Sequence, residues 1–181
     1  MAKAIDILEY LKKYVIFDRL ILENKLNKHR QYTNLFLHIL QKKGRIYKIE
    51  RNKYTLYDDP FLLASRIIWP SYISGLVALE YHKLTEQVPQ NINVITTKNR
   101  GNLKINNVKI IFKKLKTENF FGYEKMKYSG FEIFIASPEK AIIDSALLKM
   151  SSFSETMEII LNKKLKTAKL LNYLKINGIN E

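Results

Sequence analysis

Asn27–Tyr57, NKHRQYTNLFLHILQKKGRIYKIERNKYTLY, is the stretch on which the fold of this chain turns. Tyr32, Leu35, Phe36, Ile39 and Leu40 recur at three-and-four spacing, which predicts one apolar helix face, while Arg30, Asn34, His38 and Gln41 line the opposite side. Gly44 follows Lys42 and Lys43, a basic last turn and then a residue for which a left-handed backbone is cheap, so the helix is expected from about His29 to Lys43. Beyond it the period changes. Ile46 and Ile49 are apolar, Arg51-Asn52-Lys53 is a polar turn, and Tyr54–Tyr57 is rich in strand formers, which predicts a short hairpin. Helix plus hairpin predicts a winged helix-turn-helix.

Working outward, Ala4–Tyr14 is expected to be a support helix with Ile5, Leu8 and Leu11, plus Ile7 and Tyr14, facing inward. Asp18 offers an N-cap for a short second helix carrying Leu20, Ile21 and Leu26 and ending near Asn27. The expected DNA-contacting set is Lys28, His29, Arg30, Gln31, Asn34, His38 and Gln41 of the helix with Arg45, Lys48, Arg51, Asn52 and Lys53 of the wing. Such a stripe is either a solvated helix face or a surface that reads DNA. The residue types suit the second, because Arg pairs bidentately with guanine, Asn and Gln with adenine, and wing cations suit phosphates.

Charge supports a nucleic-acid partner. The 181 residues carry a net +14, with 13 Lys/Arg against 5 Asp/Glu in residues 1 to 57 and 18 against 12 in residues 58 to 181. The excess is densest in the N-terminal third. Hydrophobic residues make up 46% and aromatics 12%, ample for a buried core, and there is no cysteine for a disulfide or thiolate metal site. No eighteen-residue apolar run or apolar leader is visible, so a cytoplasmic protein without a membrane partner is expected.

Asp58-Asp59-Pro60 marks a boundary, giving expected domains 1–58, a winged helix-turn-helix, and 59–181, an α+β domain. In the second, Phe61–Ile68 is expected to be helical, and Ser71 is expected to open a helix running to about Lys83. Strands are expected at Ile92–Thr96, Leu103–Ile105, Val108–Leu115, Glu124–Tyr128 and Phe131–Ala136, with tight turns at Asn106-Asn107 and Ser129-Gly130. Together they predict an antiparallel sheet of about four or five strands flanked by helices. Ser137-Pro138 should start a helix with Ala141, Ile142, Ala146 and Leu147 inward, and two more helices are expected at Ser154–Leu161 and Thr167–Ile176.

Enzymatic patterns are sparse. The histidines are His29, His38 and His82, two of them on the expected DNA face, so a Ser-His-acid triad has only His82 to draw on. There is no HExxH, no ligand-spaced Cys/His pair and no phosphate-binding glycine loop, so no cofactor is expected. A metal-dependent nuclease stays open through Glu118, Glu124, Glu132 and Asp144, should the sheet bring them together.

The segments RIYKIERNKYTLYDDP, SYISGLVALEYHKL with NVITT, and FIASPEKAIIDSAL, in this order and spacing, resemble the AbiEi-type abortive-infection antitoxins of type IV toxin-antitoxin systems. The resemblance spans most of the chain and implies a non-enzymatic protein with two roles. Its N-terminal domain would bind inverted repeats in its own promoter as an autorepressor, with a dimer possible on the DNA. Its C-terminal domain would antagonise a nucleotidyltransferase toxin without lasting complex formation. The family's helix falls on Lys28–Gln41 and its wing on Arg45–Tyr57, where Asn52 replaces a frequent glycine. Its second-domain motifs fall on Ser71, Ser74, Ala78, Leu79 and His82, and on Pro138, Glu139, Lys140, Ala141 and Asp144. Those charges read either as functional or as surface groups, Lys140 and Asp144 standing four apart as a helical pair. An antitoxin that binds its toxin directly is the alternative.

Overall fold

A computed structural model describes residues 2–150, 160 and 165–176, and the chain divides into two compact units, Met1–Asp59 and Pro60–Glu181. The boundary falls one residue beyond the expected one. In the first unit three helices, α1 (Ala2–Leu11), α2 (Arg19–Leu26) and α3 (Arg30–Lys42), precede an antiparallel pair, β1 (Tyr47–Glu50) and β2 (Lys53–Thr55). Their core is Ile7, Leu11, Phe17, Leu22, Leu26, Leu37, Leu40 and Ile46.

Local chemistry sets the joints. Asp18 caps α2 by accepting from the Ile21 amide at 3.0 Å, and Asn27 leaves that helix in a left-handed conformation with φ of 51°. Gly44, with φ of 62°, ends α3: the Arg45 amide donates to Leu40 O and the Gly44 amide to Gln41 O, both at 2.9 Å. This is a Schellman closure, which satisfies carbonyls the helix leaves unpaired. The hairpin is tied to the helices through Phe17, whose amide and carbonyl exchange 2.9 Å hydrogen bonds with Tyr54, and through Thr55 Oγ1, which donates to Val15 O at 2.7 Å. Asn52 takes the left-handed turn position at φ of 59°.

The buried face of α3 differs from the expected one. Thr33, Leu37 and Leu40 are buried and Phe36 is half-buried, whereas Tyr32, Leu35 and Ile39 are exposed. Apolar residues recur on more than one side of this helix, so several faces could have served as core; Thr33 can be buried because its hydroxyl donates to His29 O. Ile5 is likewise exposed rather than inward, and α1 stops at Leu11 instead of reaching Tyr14.

The second unit is built on a six-stranded mixed sheet in the order β5-β6-β4-β3-β8-β7, not an antiparallel sheet of four or five strands. Its strands are β3 (Ser71–Ser74), β4 (Asn91–Thr96), β5 (Leu103–Ile105), β6 (Val108–Lys114), β7 (Tyr123–Tyr128) and β8 (Phe131–Ala136). The two expected hairpins form, but β4 runs parallel to β6 and β3 parallel to β8. The difference traces to Ser71–Ser74, expected as the start of a helix. It is a central strand buried at all four positions, and a strand covered on both faces shows no alternation to read. The helix behind it, α5 (Leu76–Tyr81), begins only after Gly75, whose φ is 72° and where an added Cβ would lie 3.2 Å from Asn93 Nδ2.

Two further helices are shorter or differently faced than expected. α4 spans only Pro60–Ala64, and the next residue, Ser65, turns its hydroxyl back to Leu62 O at 2.7 Å instead of continuing the ladder. α6 (Pro138–Leu147) starts as predicted, with Ser137 accepting from the Lys140 amide, but buries Glu139 through Ser145 and leaves Ala146 and Leu147 exposed. α7 (Thr167–Ile176) matches its expected span, and the helix expected at Ser154–Leu161 lies, but for Ile160, outside the described residues. No helix among the described residues is long and apolar enough to cross a membrane.

Candidate nucleic-acid interface

Successive α-helical residues are about 100° apart, so Arg30, Asn34, His38 and Gln41 of α3 fall within an arc of roughly 80°. Arg30, Asn34 and His38 are exposed, Gln41 is half-buried, and Gln31 lies exposed beside His38 on the same flank. Lys28 and His29 precede them at the helix start, both exposed. His29 occupies the N-cap with extended backbone and makes no side-chain capping bond. One flank therefore presents donors and acceptors of the kind that match base edges, with Lys28 and Arg30 as cations at the helix start.

The hairpin divides the expected wing residues. Lys48 and Arg51 are exposed. Lys53 is half-buried and holds Glu50 at 2.7 Å, which offsets its charge, and Asn52 Oδ1 accepts from the Arg19 amide at 3.3 Å, anchoring the turn to the start of α2. Arg45 precedes the strand and lines a groove between α1 and α3 with Lys43.

A second basic surface was not anticipated. Between Glu86 and Glu118 the sequence has no acidic residue and seven basic ones, from Lys98 to Lys116. The β5–β6 hairpin sets Lys104 directly opposite Lys109, both exposed. Like charges paired across strands destabilise a hairpin, so the arrangement suits an anionic partner. A count of charge by short window, rather than over residues 1 to 57 and 58 to 181, would have revealed it.

The second-domain motif residues are mostly interior. Lys140 and Asp144, weighed above as surface charges, are fully buried and 2.9 Å apart. Asp144 Oδ2 accepts from Tyr72 Oη at 3.0 Å and Ser74 Oγ at 2.8 Å, and Lys140 Nζ donates to Asn119 O at 3.0 Å while lying 4.5 Å from the centre of the Phe121 ring. Burial pushes the Asp144 carboxyl up against the opposing pull of Lys140, Ser74 and Tyr72. Burial, together with the Asp144 charge, drives the Tyr72 phenol well above its ordinary range, so it remains a donor. The cluster joins β3, α6 and the loop before β7, a structural tie rather than an open site. Tyr72 went unnoticed because the strand that carries it was read as helix.

The remaining motif residues lie elsewhere. Ser71 Oγ donates to Ile68 O at 2.6 Å, and His82 Nε2 meets Ala136 O at 2.9 Å. Glu139, also buried, accepts from the Lys166 amide at 3.2 Å and sits 3.4 Å from Lys169. Burial alone would raise its carboxyl, but backbone donors and Lys169 outweigh that and hold it below the usual range. The nuclease candidates do not converge: Glu118 lies by Lys116, Glu124 by Lys169, Glu132 by Lys125 and Asp144 by Lys140.

No protein-family model matches this sequence, and no curated protein matches it.

Proposed function

We propose that this protein is a sequence-specific DNA-binding autorepressor and the antitoxin of a type IV toxin-antitoxin system, antagonising a nucleotidyltransferase toxin. The first unit acts in this scheme as a winged helix-turn-helix on double-stranded DNA, at inverted repeats of its own promoter. The observation that carries the DNA-binding part is the polar flank of α3, where Arg30, Gln31, Asn34 and His38 stand exposed on a helix that buries Thr33, Leu37 and Leu40 along another arc. In this scheme the flank reads base edges, while Lys28, Lys48 and Arg51 hold phosphates and set register. Lys104 and Lys109 would add sequence-independent attraction. The antitoxin role is supported by the resemblance of the second unit's motif segments, and the burial of Ser74, Lys140 and Asp144 makes those three residues scaffold in this scheme rather than toxin contacts.

A mobility-shift titration on the protein's own upstream DNA against a scrambled duplex tests the central point. The upstream duplex is expected to bind at least about a thousandfold more tightly. The Arg30→Ala/Asn34→Ala variant should lose about 1 to 3 kcal/mol per side chain on that duplex and much less on the scrambled one. Equal binding to both duplexes by the wild-type protein would refute sequence-specific recognition.

A further inference from the structure

Trp69, the single tryptophan, is 58% exposed, although indole is among the side chains a fold gains most by burying. It is held in place all the same. Its ring lies 5.1 Å from Phe134, Phe134 lies 5.9 Å from Tyr123, and Tyr123 stacks at 4.8 Å on the buried Tyr72. This ladder runs from the core of the second unit to its surface, so the indole is backed from within and open outside. Cations surround it. The register of β7 and β8 puts Lys125 directly opposite Phe134 and Lys127 directly opposite Glu132, and residues so paired share one face of the sheet. Arg66 reaches the same place, its guanidinium donating to Glu132 O. Lys125 above all, then Arg66 and Lys127, holds the Glu132 carboxyl below the usual range, so three cations stand around one carboxylate. All three are exposed.

We infer that this face of the second unit is a stacking platform for single-stranded nucleic acid, with Trp69 taking a base and Lys125, Lys127 and Arg66 the flanking phosphates. The bases of an intact duplex have both faces covered by their neighbours, so an exposed indole gains nothing from one. An unstacked base offers its π-face to any aromatic side chain, whatever its sequence. The charge selects the same partner. A purely apolar partner would strip water from three cations and return nothing, whereas every unit of a single strand carries a planar base and an anion together. The platform is independent of the duplex reading proposed for α3.

Trp69 reports its own occupancy, because the protein has no other tryptophan. Titrating the full chain with oligouridylate of about 12 nucleotides, or with its deoxy counterpart, should quench the fluorescence, and the upstream duplex should not. Tighter binding of the ribose strand would add a contact to the 2′-hydroxyl beside the stacked base. Anisotropy of labelled strands then ranks the variants. Trp69→Ala should weaken both single strands by roughly 5- to 140-fold with unchanged circular dichroism, since the side chain is exposed. Trp69→Leu, apolar but without a π-face, should lose as much, and Trp69→Phe should recover most of the loss. Lys125→Gln/Lys127→Gln should lower the log-log salt slope by roughly 1.4. Arg30→Ala/Asn34→Ala should bind single strands like wild type, and Trp69→Ala should bind the upstream duplex like wild type, so failure of base reading by α3 and failure of the platform are separately visible. Wild-type fluorescence that responds to neither strand would overturn the inference. Trp69→Leu binding as tightly as wild type would overturn it equally, by making the contact apolar rather than stacked.

Discussion

Replacing Lys140 by Met removes the cation of a fully buried pair and leaves the Asp144 carboxylate in the sheet core with only the Tyr72 and Ser74 hydroxyls for partners. Removing one member of a buried ion pair costs about 3 to 5 kcal/mol, because the remaining charge keeps its desolvation penalty. With a urea m-value of about 2 kcal/mol per molar, the unfolding midpoint should fall by roughly 1.5 to 2.5 M at pH 7. The single tryptophan, Trp69, lies in the second unit with its ring 5.1 Å from Phe134, so its fluorescence follows this unit. The pH dependence has a definite sign. Burial raises the Asp144 carboxyl in the folded state, more so without Lys140, so folding takes up a proton and stability is lost as pH rises through that raised value. The Lys140→Met deficit should therefore shrink as pH is lowered and grow as it is raised. Lys140→Met/Asp144→Asn removes both charges while keeping an acceptor for the two hydroxyls, and should recover at least about 1 kcal/mol of the loss. A single variant costing under about 1 kcal/mol, or a double variant no more stable than it, would refute the account.

Gly44→Ala places a side chain at φ of 62° with nothing within 4 Å of the new Cβ, so the loss, about 1 kcal/mol, is backbone strain alone and should appear as faster amide exchange along α3. Glu139 is held below its ordinary range in the folded state, so its contribution is present above the unfolded value near about 4.3 and fades as pH falls through the lower folded one. Thermal melts of Glu139→Gln and wild type should thus differ most above about pH 5 and converge at strongly acid pH. Lys48→Glu/Arg51→Glu should weaken all duplexes alike and lower the log-log salt slope by roughly 2, read from binding titrations between 50 and 200 mM salt. An unchanged slope would remove the hairpin from the phosphate contacts.

Local signals in the chain itself were enough for much of this molecule. Asp18 and Ser137 announced caps, Gly44 a stop, and Asn52, Asn106 and Ser129-Gly130 tight turns, and each holds because the chemistry involves neighbours within a few residues. The polar flank of α3 was legible for the same reason: a period of 3.6 needs no partner to be seen. Tertiary structure alone decided which apolar arc of α3 became core, because Thr33, Leu37 and Leu40 outcompeted Tyr32, Leu35 and Ile39 only through the elements packed around them. It also decided that Ser71–Ser74 is a central strand, since a segment buried on both faces carries no period to announce it. That placement brings Tyr72 and Ser74 to Asp144 across 70 or more residues and turns a helical charge pair into an interior network. Burial is a property of everything around a residue, and spacing along a chain does not encode it.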